Sequence, residues 1–458
     1  MNKIFYTAIF IVIIIALSAL YLLNLFGLEA AKKPNSVKTA LKLHSEQKLG
    51  ASRSKAKKRR VAVTRLSSEL DNINGKELSR MVASGGQTTI SPTNTIIDTV
   101  TVIDLDQLTP EYKALTIDGL SVWDDTDYPL VVEANNPNEE EFDKSKVIKM
   151  TAVGDVILGR TVYRKMAEKG FTSPFSNVAA RLSQADITMA DLECPLSDSF
   201  TPPIHGMNFL SPRKGVEGLV ASGIDIVGLA NNHSTNFGSK AFLDTLDVLN
   251  ENKIAYVGGG ANETEAKSSK VLTVKGKKFA FLNFNSIVGD MAAKGNSAGD
   301  WHVNLPPWSK TDQKQIDETL NAIKTARTNN DFVIVMVHWG QEYTRDPSQE
   351  MKSLAHQLVD AGADLVIGTH PHWIQGVEIY KDKFIAYSLG NFVFDQEWSI
   401  ETKQGMILDA VFYGNRLVNV SLTPVLIEDF HRPRILGKDE AKPIMDTLWQ
   451  SSRRINAP

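Results

Sequence analysis

The chain has 458 residues, a length that suits two or three domains with sizeable cores. Hydrophobic residues make up 42%, charged residues 22%, and the formal net charge is −3, so the composition lacks the strong basic excess of nucleic-acid-binding proteins. The single cysteine, Cys194, excludes an internal disulfide, and it fits an oxidising or a reducing compartment equally well.

Residues 1–30 are the most apolar part of the chain. The run from residue 4 to residue 28 contains one strongly polar side chain, Asn24, and is as long as the roughly 20 residues that a helix needs to cross a bilayer. A cleaved signal peptide normally has a shorter apolar core and an A-x-A-like site, whereas Leu28 leads into a poor cleavage site. We predict an uncleaved, single-pass membrane anchor, with a cleaved signal peptide as the alternative.

A basic, polar segment follows this predicted anchor. Residues 31–95 are predicted to form a flexible basic tether, which can include a short helix over residues 63–83. The Lys and Arg residues between positions 32 and 60 could contact anionic lipid headgroups or an acidic polymer, and a solvated charged spacer is the alternative. These charges alone favour a cytoplasmic location for this side of the anchor, but long domains can be exported despite them.

Two short runs rich in β-branched residues, 96–103 and 130–132, flank a stretch rich in turn residues. This pattern predicts a small β-rich module over residues 96–134, to which the sequence assigns no function. The polar stretch 135–141 contains Pro137 and marks the predicted domain boundary.

Short apolar runs alternate with amphipathic segments over residues 147–430. This alternation predicts an α/β domain with a largely parallel sheet. Residues 431–458 are predicted to form a C-terminal helical tail. The apolar runs are 147–153, 187–190, 224–229, 254–257, 279–284, 332–337, 365–367 and 384–387.

Chemically active side chains directly follow five of these runs. In open α/β sheets, ligands bind outside the carboxyl ends of the strands, so these side chains are expected to meet at one edge. Four of the nine histidines in the chain belong to this set. We therefore predict a metal site there. Its predicted ligands are Asp155, Glu193, Asn232, His338, His370 and His372, and His233 lies next to Asn232.

Imidazole, carboxylate and amide ligands suit one or two divalent ions of Mn, Fe or Zn better than a structural zinc or an iron–sulfur cluster. Two ions could activate a water molecule and stabilise a developing oxyanion. Glu193 is the natural bridging carboxylate. Asn232 and His233 are predicted to be catalytic, with His233 as the acid that protonates a leaving group.

Three further residues are predicted to contact the substrate. Arg160 could bind an anionic group bidentately, although a surface arginine at a helix start is an equal alternative. Glu342 lies close in sequence to His338 and could also hydrogen-bond a ligand residue. Asn391 follows another predicted strand to the same edge and could contact either metal or substrate.

The order and spacing of these motifs resemble those of the CapA family of poly-γ-glutamate capsule proteins, within the calcineurin-like metallophosphoesterase superfamily. The resemblance implies a two-sheet sandwich flanked by helices. It also implies that Asp155 is the first-motif aspartate, Glu193 the bridging acid, and His338 the lone histidine ligand. Asn232 and His233 match the Asn-His pair, and His370 and His372 match the closing pair. The motifs that carry the resemblance are 154–160, 191–193, 230–233, 338–343, 362–372 and 387–392.

One position departs from the superfamily pattern. The first motif of the superfamily is Asp-x-His, and Ile157 occupies the histidine position. One metal site therefore lacks a ligand. Water or another side chain replaces it, or only one metal binds tightly, or the site is not that of a conventional phosphoesterase.

The resemblance implies a role in the synthesis, export or anchoring of a poly-γ-glutamate capsule. It also implies a membrane-anchored protein with an extracytoplasmic domain that works beside other capsule-synthesis membrane proteins. The first hypothesis is a metal-dependent hydrolase that uses metal-activated water on a phosphoester or a γ-glutamyl amide. The alternative is a non-catalytic accessory that binds and guides an anionic polymer. Ile157 favours the accessory, and the Asn232-His233 pair favours the hydrolase.

Overall fold

The computed structural model describes residues 57–83, 87–93, 96–133, 141–287 and 291–455. The anchor predicted for residues 1–30 and the first part of the predicted tether lie outside these described residues. Within the described ranges, no helix is both long enough and apolar enough to cross a membrane.

Two mixed β-sheets form the core of the main domain. The four neighbouring strands on one side of the first sheet run parallel, as do the four middle strands of the second. The first sheet contains, in spatial order, Ala255–Val257, Ile226–Gly228, Ile187–Leu192, Ile148–Val156, Gln404–Tyr413, Arg416–Glu428 and Arg432–Ile435, with Asn391–Val393 also paired to Ile148–Val156. The second sheet contains Lys270–Val274, Lys277–Asn285, Phe332–His338, Leu365–Thr369, Lys383–Ala386 and Val377–Tyr380.

The two sheets pack face to face because the side chains that their buried strands direct towards the other sheet are apolar. In Phe332–His338, the side chains of Phe332 and Ile334 enter the core between the sheets, where they join Met150 and Ala152 of the first sheet. Side chains at alternate positions of a strand point to opposite faces. A strand buried on both faces therefore needs the continuous apolar run that the sequence shows, and the predicted two-sheet α/β architecture is confirmed.

Helices cover the outer face of each sheet. Arg160–Lys169, Val216–Ala221 and Gly238–Glu251 contribute buried side chains to the core outside the first sheet. Gln313–Asn329 and Gln349–Ala361 do the same for the second sheet. Ser348 caps the last of these helices, because its side chain accepts a hydrogen bond from the Met351 amide. The described part of this domain also contains two single-turn α-helices, Ala179–Leu182 and Glu263–Ala266.

The predicted domain end at residue 430 is wrong. Strand Arg432–Ile435 pairs with Arg416–Glu428 as the edge of the first sheet. The helix predicted after it exists as Lys438–Ile455, but it is not a tail, because Ile444 and Leu448 are buried in the core between the sheets. The main domain therefore continues to at least residue 455.

The predicted tether is also wrong where the structure describes it. The described residues between 57 and 133 form one β-rich module, in which strand Lys57–Arg65 pairs with Ile96–Asp104, Tyr112–Ala114 and Val131–Glu133. Strand Gln87–Thr93 pairs with Ile96–Asp104 at the edge of this sheet. The module also contains helix Gly75–Ala83 and the short strands Asn72–Ile73 and Thr116–Ile117. The predicted β-rich module is therefore present, but it begins at or before residue 57 rather than at residue 96.

This module packs against the amino ends of the parallel strands. Its core includes Val147, Val411 and Val418 of the main domain. Val411 pairs with the second residue of strand Ile148–Val156, so the contact lies at the opposite end of this strand from Asp155. The module and the predicted metal site therefore occupy opposite ends of the domain.

Candidate metal centre

The carboxyl ends of the parallel strands from both sheets meet at one buried cluster. The structure brings together all six predicted metal ligands there. Five of them are buried with at most 3% exposure, and Asn232 is half-buried. The five are Asp155, Glu193, His338, His370 and His372.

The first group of donor atoms surrounds His338. Its Nε2 atom lies 2.8 Å from Asn232 Oδ1, 3.1 Å from His370 Nδ1 and 3.6 Å from Glu193 Oε1. Metal–ligand bonds of about 2.1 Å place neighbouring ligand atoms about 3 Å apart. The spacing in this group therefore fits a single transition-metal ion.

The second group is formed by Asp155, Glu193 and His372. The Nδ1 atom of His372 lies 3.0 Å from Asp155 Oδ2, while Asp155 Oδ1 accepts a hydrogen bond of 3.2 Å from the His370 amide. Glu193 belongs to both groups. It thus lies where a carboxylate bridging two ions has to lie.

Asp191, which was not among the predicted site residues, orients His338. Its Oδ2 atom lies 2.8 Å from His338 Nδ1, and its Oδ1 accepts a hydrogen bond of 2.9 Å from Asn231 Nδ2. A carboxylate on one ring nitrogen directs the other nitrogen towards the metal position. The sequence contained a signal for this role, namely the spacing of Asp191 and Glu193. Positions two residues apart share one face of an extended strand.

The electrostatics of the cluster favour a cation. Burial and the charges of Asp155 and Asp191 raise the pKa of Glu193 well above its usual value. Burial likewise lowers the pKa of His370 well below its usual value. Within the described part of the chain, both Glu193 carboxylate oxygens are buried without a hydrogen-bond partner. Such groups are costly unless paired, so these residues fit a divalent metal ion.

His233 lies beside the cluster, with its protonation state set by its neighbours. Its ring stacks on Phe209 at 3.9 Å, and its Nδ1 lies 3.0 Å from Asn236 Oδ1. Because Asn236 Oδ1 also accepts a hydrogen bond from the Phe209 amide, it is an acceptor and His233 Nδ1 carries the proton. Burial lowers the pKa of His233 to about 3, so the ring is neutral at pH 7 and Nε2 has a free lone pair.

Two of the predicted substrate-binding residues lie at the edge of the cluster. Arg160 pairs with Asp395, donates to the Gly206 carbonyl at 3.1 Å and lies over the Phe209 ring at 4.4 Å. Both of its terminal nitrogens are thus engaged inside the protein, and a bidentate substrate contact would require these bonds to exchange. Glu342 lies 4.0 Å from His372 Nε2, on the side of the second group.

The backbone around the cluster is strained and tightly packed. His370, His372 and Tyr343 have φ values of 93°, 57° and 59°, in the left-handed region that non-glycine residues rarely adopt. A Cβ atom at Gly154 would lie 2.0 Å from the Gly390 carbonyl oxygen, and one at Gly368 would lie 1.9 Å from that of Tyr387. These contacts explain why glycine stands next to Asp155 and two residues before His370.

The chain is similar in sequence to bacterial capsule synthesis proteins. Residues 149–396 match the family model of the bacterial capsule synthesis protein PGA_cap. The chain is 31% identical over 292 residues to the capsule biosynthesis protein CapA of Bacillus anthracis, an alignment that spans 62% of this chain and 69% of the relative. It is 30% identical over 320 residues to the PGA biosynthesis protein CapA of Bacillus subtilis strain 168, spanning 68% of this chain and 79% of the relative. Among solved structures, 5'-nucleotidase from Candida albicans SC5314 aligns with a TM-score of 0.35 and 12% identity, over 67% of this chain and 58% of that one.

Fold and cluster together define an α/β protein with a buried site that could hold metal ions. Since the family model matches more than half of the chain, the chain belongs to the PGA_cap family of bacterial capsule synthesis proteins. The two CapA proteins are among its relatives. The family predicted from the motifs is therefore confirmed.

The cluster predicts stoichiometric metal binding. After refilling with Mn, Fe or Zn, the purified chain should retain about one or two ions, as counted by mass spectrometry. His370→Ala should lose at least one of them, because it removes an imidazole from the first group. His356→Ala is the matched control, since His356 pairs with Glu378 outside the cluster. Equal metal content in all three proteins would contradict the assignment.

Proposed function

We propose that the chain is a metal-dependent hydrolase of poly-γ-glutamate capsule biosynthesis, acting on a γ-glutamyl amide or on a phosphoester. The observation that supports it most is the pair of buried donor groups that share Glu193, whose carboxylate oxygens have no hydrogen-bond partner among the described residues. The name of the Bacillus subtilis relative, PGA biosynthesis protein CapA, supports the polymer as the substrate class. Mn, Fe or Zn ions would supply activation of water and stabilisation of negative charge.

Residues of the chain would hold these ions, and one of them would transfer a proton during the reaction. Asp155, Glu193 and His372 would bind one ion, and Glu193, Asn232, His338 and His370 would bind the other. The neutral His233 presents a lone pair at Nε2, so it first accepts the proton of the attacking water. It then returns that proton to the leaving nitrogen or oxygen. The predicted acid is thus a proton carrier that begins as a base.

His233→Ala should separate binding from turnover. We expect its metal content to equal that of the wild-type chain, while hydrolysis of poly-γ-glutamate or of an aryl phosphoester falls about 100- to 10,000-fold. His302→Ala serves as the control, because its imidazole hydrogen-bonds Asn304 outside the cluster. Wild-type activity in His233→Ala would exclude the proton-carrier role. A metal-loaded wild-type chain without turnover on either substrate would contradict the hydrolase.

A second candidate function is a non-catalytic accessory that binds and guides the polymer. A row of rings favours polymer binding: Trp308 lies 5.9 Å from His370, Tyr343 lies 5.9 Å from His372, and Trp398 lies 4.6 Å from Tyr343. The two tryptophans are 41% and 59% exposed, although such large apolar side chains are usually buried. They flank the two donor groups, so an extended chain crossing the cluster could contact an indole on each side.

Trp308→Ala and Trp398→Ala test this polymer contact. Each should weaken binding of long poly-γ-glutamate by about 3- to 10-fold, the contribution expected of one aromatic contact, with little effect on a γ-glutamyl dipeptide. Titration calorimetry on the metal-loaded chain measures both affinities. Val271→Ala, an exposed apolar residue on a remote edge strand, is the control. Unchanged affinity for the long polymer in both tryptophan variants would rule out contact between the polymer and these tryptophans.

We further propose that residues 1–30 form a single-pass anchor in the cell membrane and that the described domains are extracytoplasmic, beside other capsule-synthesis membrane proteins. The apolar run in residues 4–28 supports the anchor. The β-rich module, which follows the anchor in the chain, contacts the end of the domain opposite the cluster, so the cluster would face away from the membrane.

Protease added to intact cells that produce the full chain should release the main domain. Protection of this domain until the cells are lysed would contradict the extracytoplasmic location.

A further inference from the structure

The fold shows where the residue that replaces the first-motif histidine lies. Ile157 is fully buried in the apolar core between the first sheet and its helices. Its hydrocarbon side chain contributes no donor atom to the second group, whose histidine and carboxylate donors among the described residues are Asp155, Glu193 and His372. Three protein donors leave that group less complete than the first, which has four.

The neighbouring strand provides a polar side chain at the same level. Strand Asn391–Val393 runs parallel to Ile148–Val156, and Asn391 stands in direct register with Asp155. The Oδ1 atom of Asn391 lies 2.9 Å from His372 Nδ1, the nitrogen that lies 3.0 Å from Asp155 Oδ2. Asn391 is fully buried. Its oxygen therefore belongs to the same cluster as the donors of Asp155 and His372.

The orientation of this amide is set by the protein. Its Nδ2 atom donates to the Thr402 carbonyl at 2.8 Å and to Gln396 Oε1 at 3.1 Å. With both acceptors on the nitrogen side, the oxygen is directed towards His372. An amide held in this way is preorganised as an oxygen donor, as a metal ligand needs to be.

We propose that Asn391 Oδ1 is the fourth protein donor of the second group and replaces the first-motif histidine. This inference rests on the proposed metal site and reassigns Asn391 from substrate binding to metal binding. Each group then contains one asparagine, Asn232 in the first and Asn391 in the second, with Glu193 between them. Replacing an imidazole by an amide oxygen shifts the second group towards harder ions, so we expect it to prefer Mn²⁺ over Zn²⁺ more strongly than the first group does.

The direct test is a crystal structure of the Mn²⁺-loaded wild-type protein, in which anomalous scattering locates the ions. We expect Asn391 Oδ1 at about 2.0–2.4 Å from the ion that Asp155 and His372 bind. An ion at that position with Asn391 Oδ1 more than about 3 Å away would overturn this inference and leave the hydrolase proposal standing. A wild-type chain that binds no ion would overturn both.

Calorimetric titration with Mn²⁺ adds a second readout on variants. Asn391→Ala should weaken one of the two binding events about 10- to 100-fold and leave the other unchanged. Asn419→Ala, which removes a buried asparagine outside the cluster, should bind like the wild type. Equal Mn²⁺ affinity of Asn391→Ala and the wild type at both binding events would show that the Asn391 oxygen is not a ligand.

Discussion

The architecture of the site depends on buried negative charge at the place where the two sheets meet. Asp155, Asp191 and Glu193 are all fully buried there. Asp191 is satisfied by His338 and Asn231, whereas Glu193 has no hydrogen-bond partner among the described residues. An unpaired buried carboxylate costs several kcal/mol, so the native fold needs a cation or a proton at Glu193. The surrounding imidazoles and amides favour a metal ion over a proton.

The donor atoms can surround a metal position because they come from two facing sheets. A single sheet presents its strand ends as a row, whereas the second sheet here adds His338 and His370 from across the core. The close approach has a steric requirement, since the backbone at Gly154 and Gly368 leaves no room for a Cβ atom. The left-handed conformation of His370 is held by this packing. Strain at the site is thus maintained by the large apolar core between the sheets.

The two donor groups are similar but not equivalent. The first has two imidazoles, from His338 and His370, while the second has one imidazole and, with the proposed Asn391, one oxygen donor more than the first. His233 adds a neutral base beside them, because its proton is held on Nδ1 by Asn236. A site with one nitrogen-rich and one oxygen-rich position could bind two different ions. Such a site could activate water at one ion while the other ion contacts the substrate.

Local sequence patterns were sufficient to predict much of the fold and of the candidate site. The apolar runs, the alternation of strands with helices, the family and six candidate ligands all follow from short stretches of chain, because strand periodicity and motif spacing are local properties. The same locality explains the errors at the domain boundaries. Residues 61–63 are fully buried in a strand of the module, but three apolar residues beside a basic run resemble a tether when their partner strands are not known.

Only the tertiary structure decided which of the candidates act together. That Asp191 orients His338, and that Glu193 has no hydrogen-bond partner in the part of the chain that the structure describes, depends on packing between strands far apart in the chain. The register of Asn391 beside Asp155 is equally non-local, since 236 positions separate the two residues. Sequence by itself therefore determined the kind of site and its candidate donors. The pairing of sheets determined its geometry, because distances between remote side chains are set only when the whole core has packed.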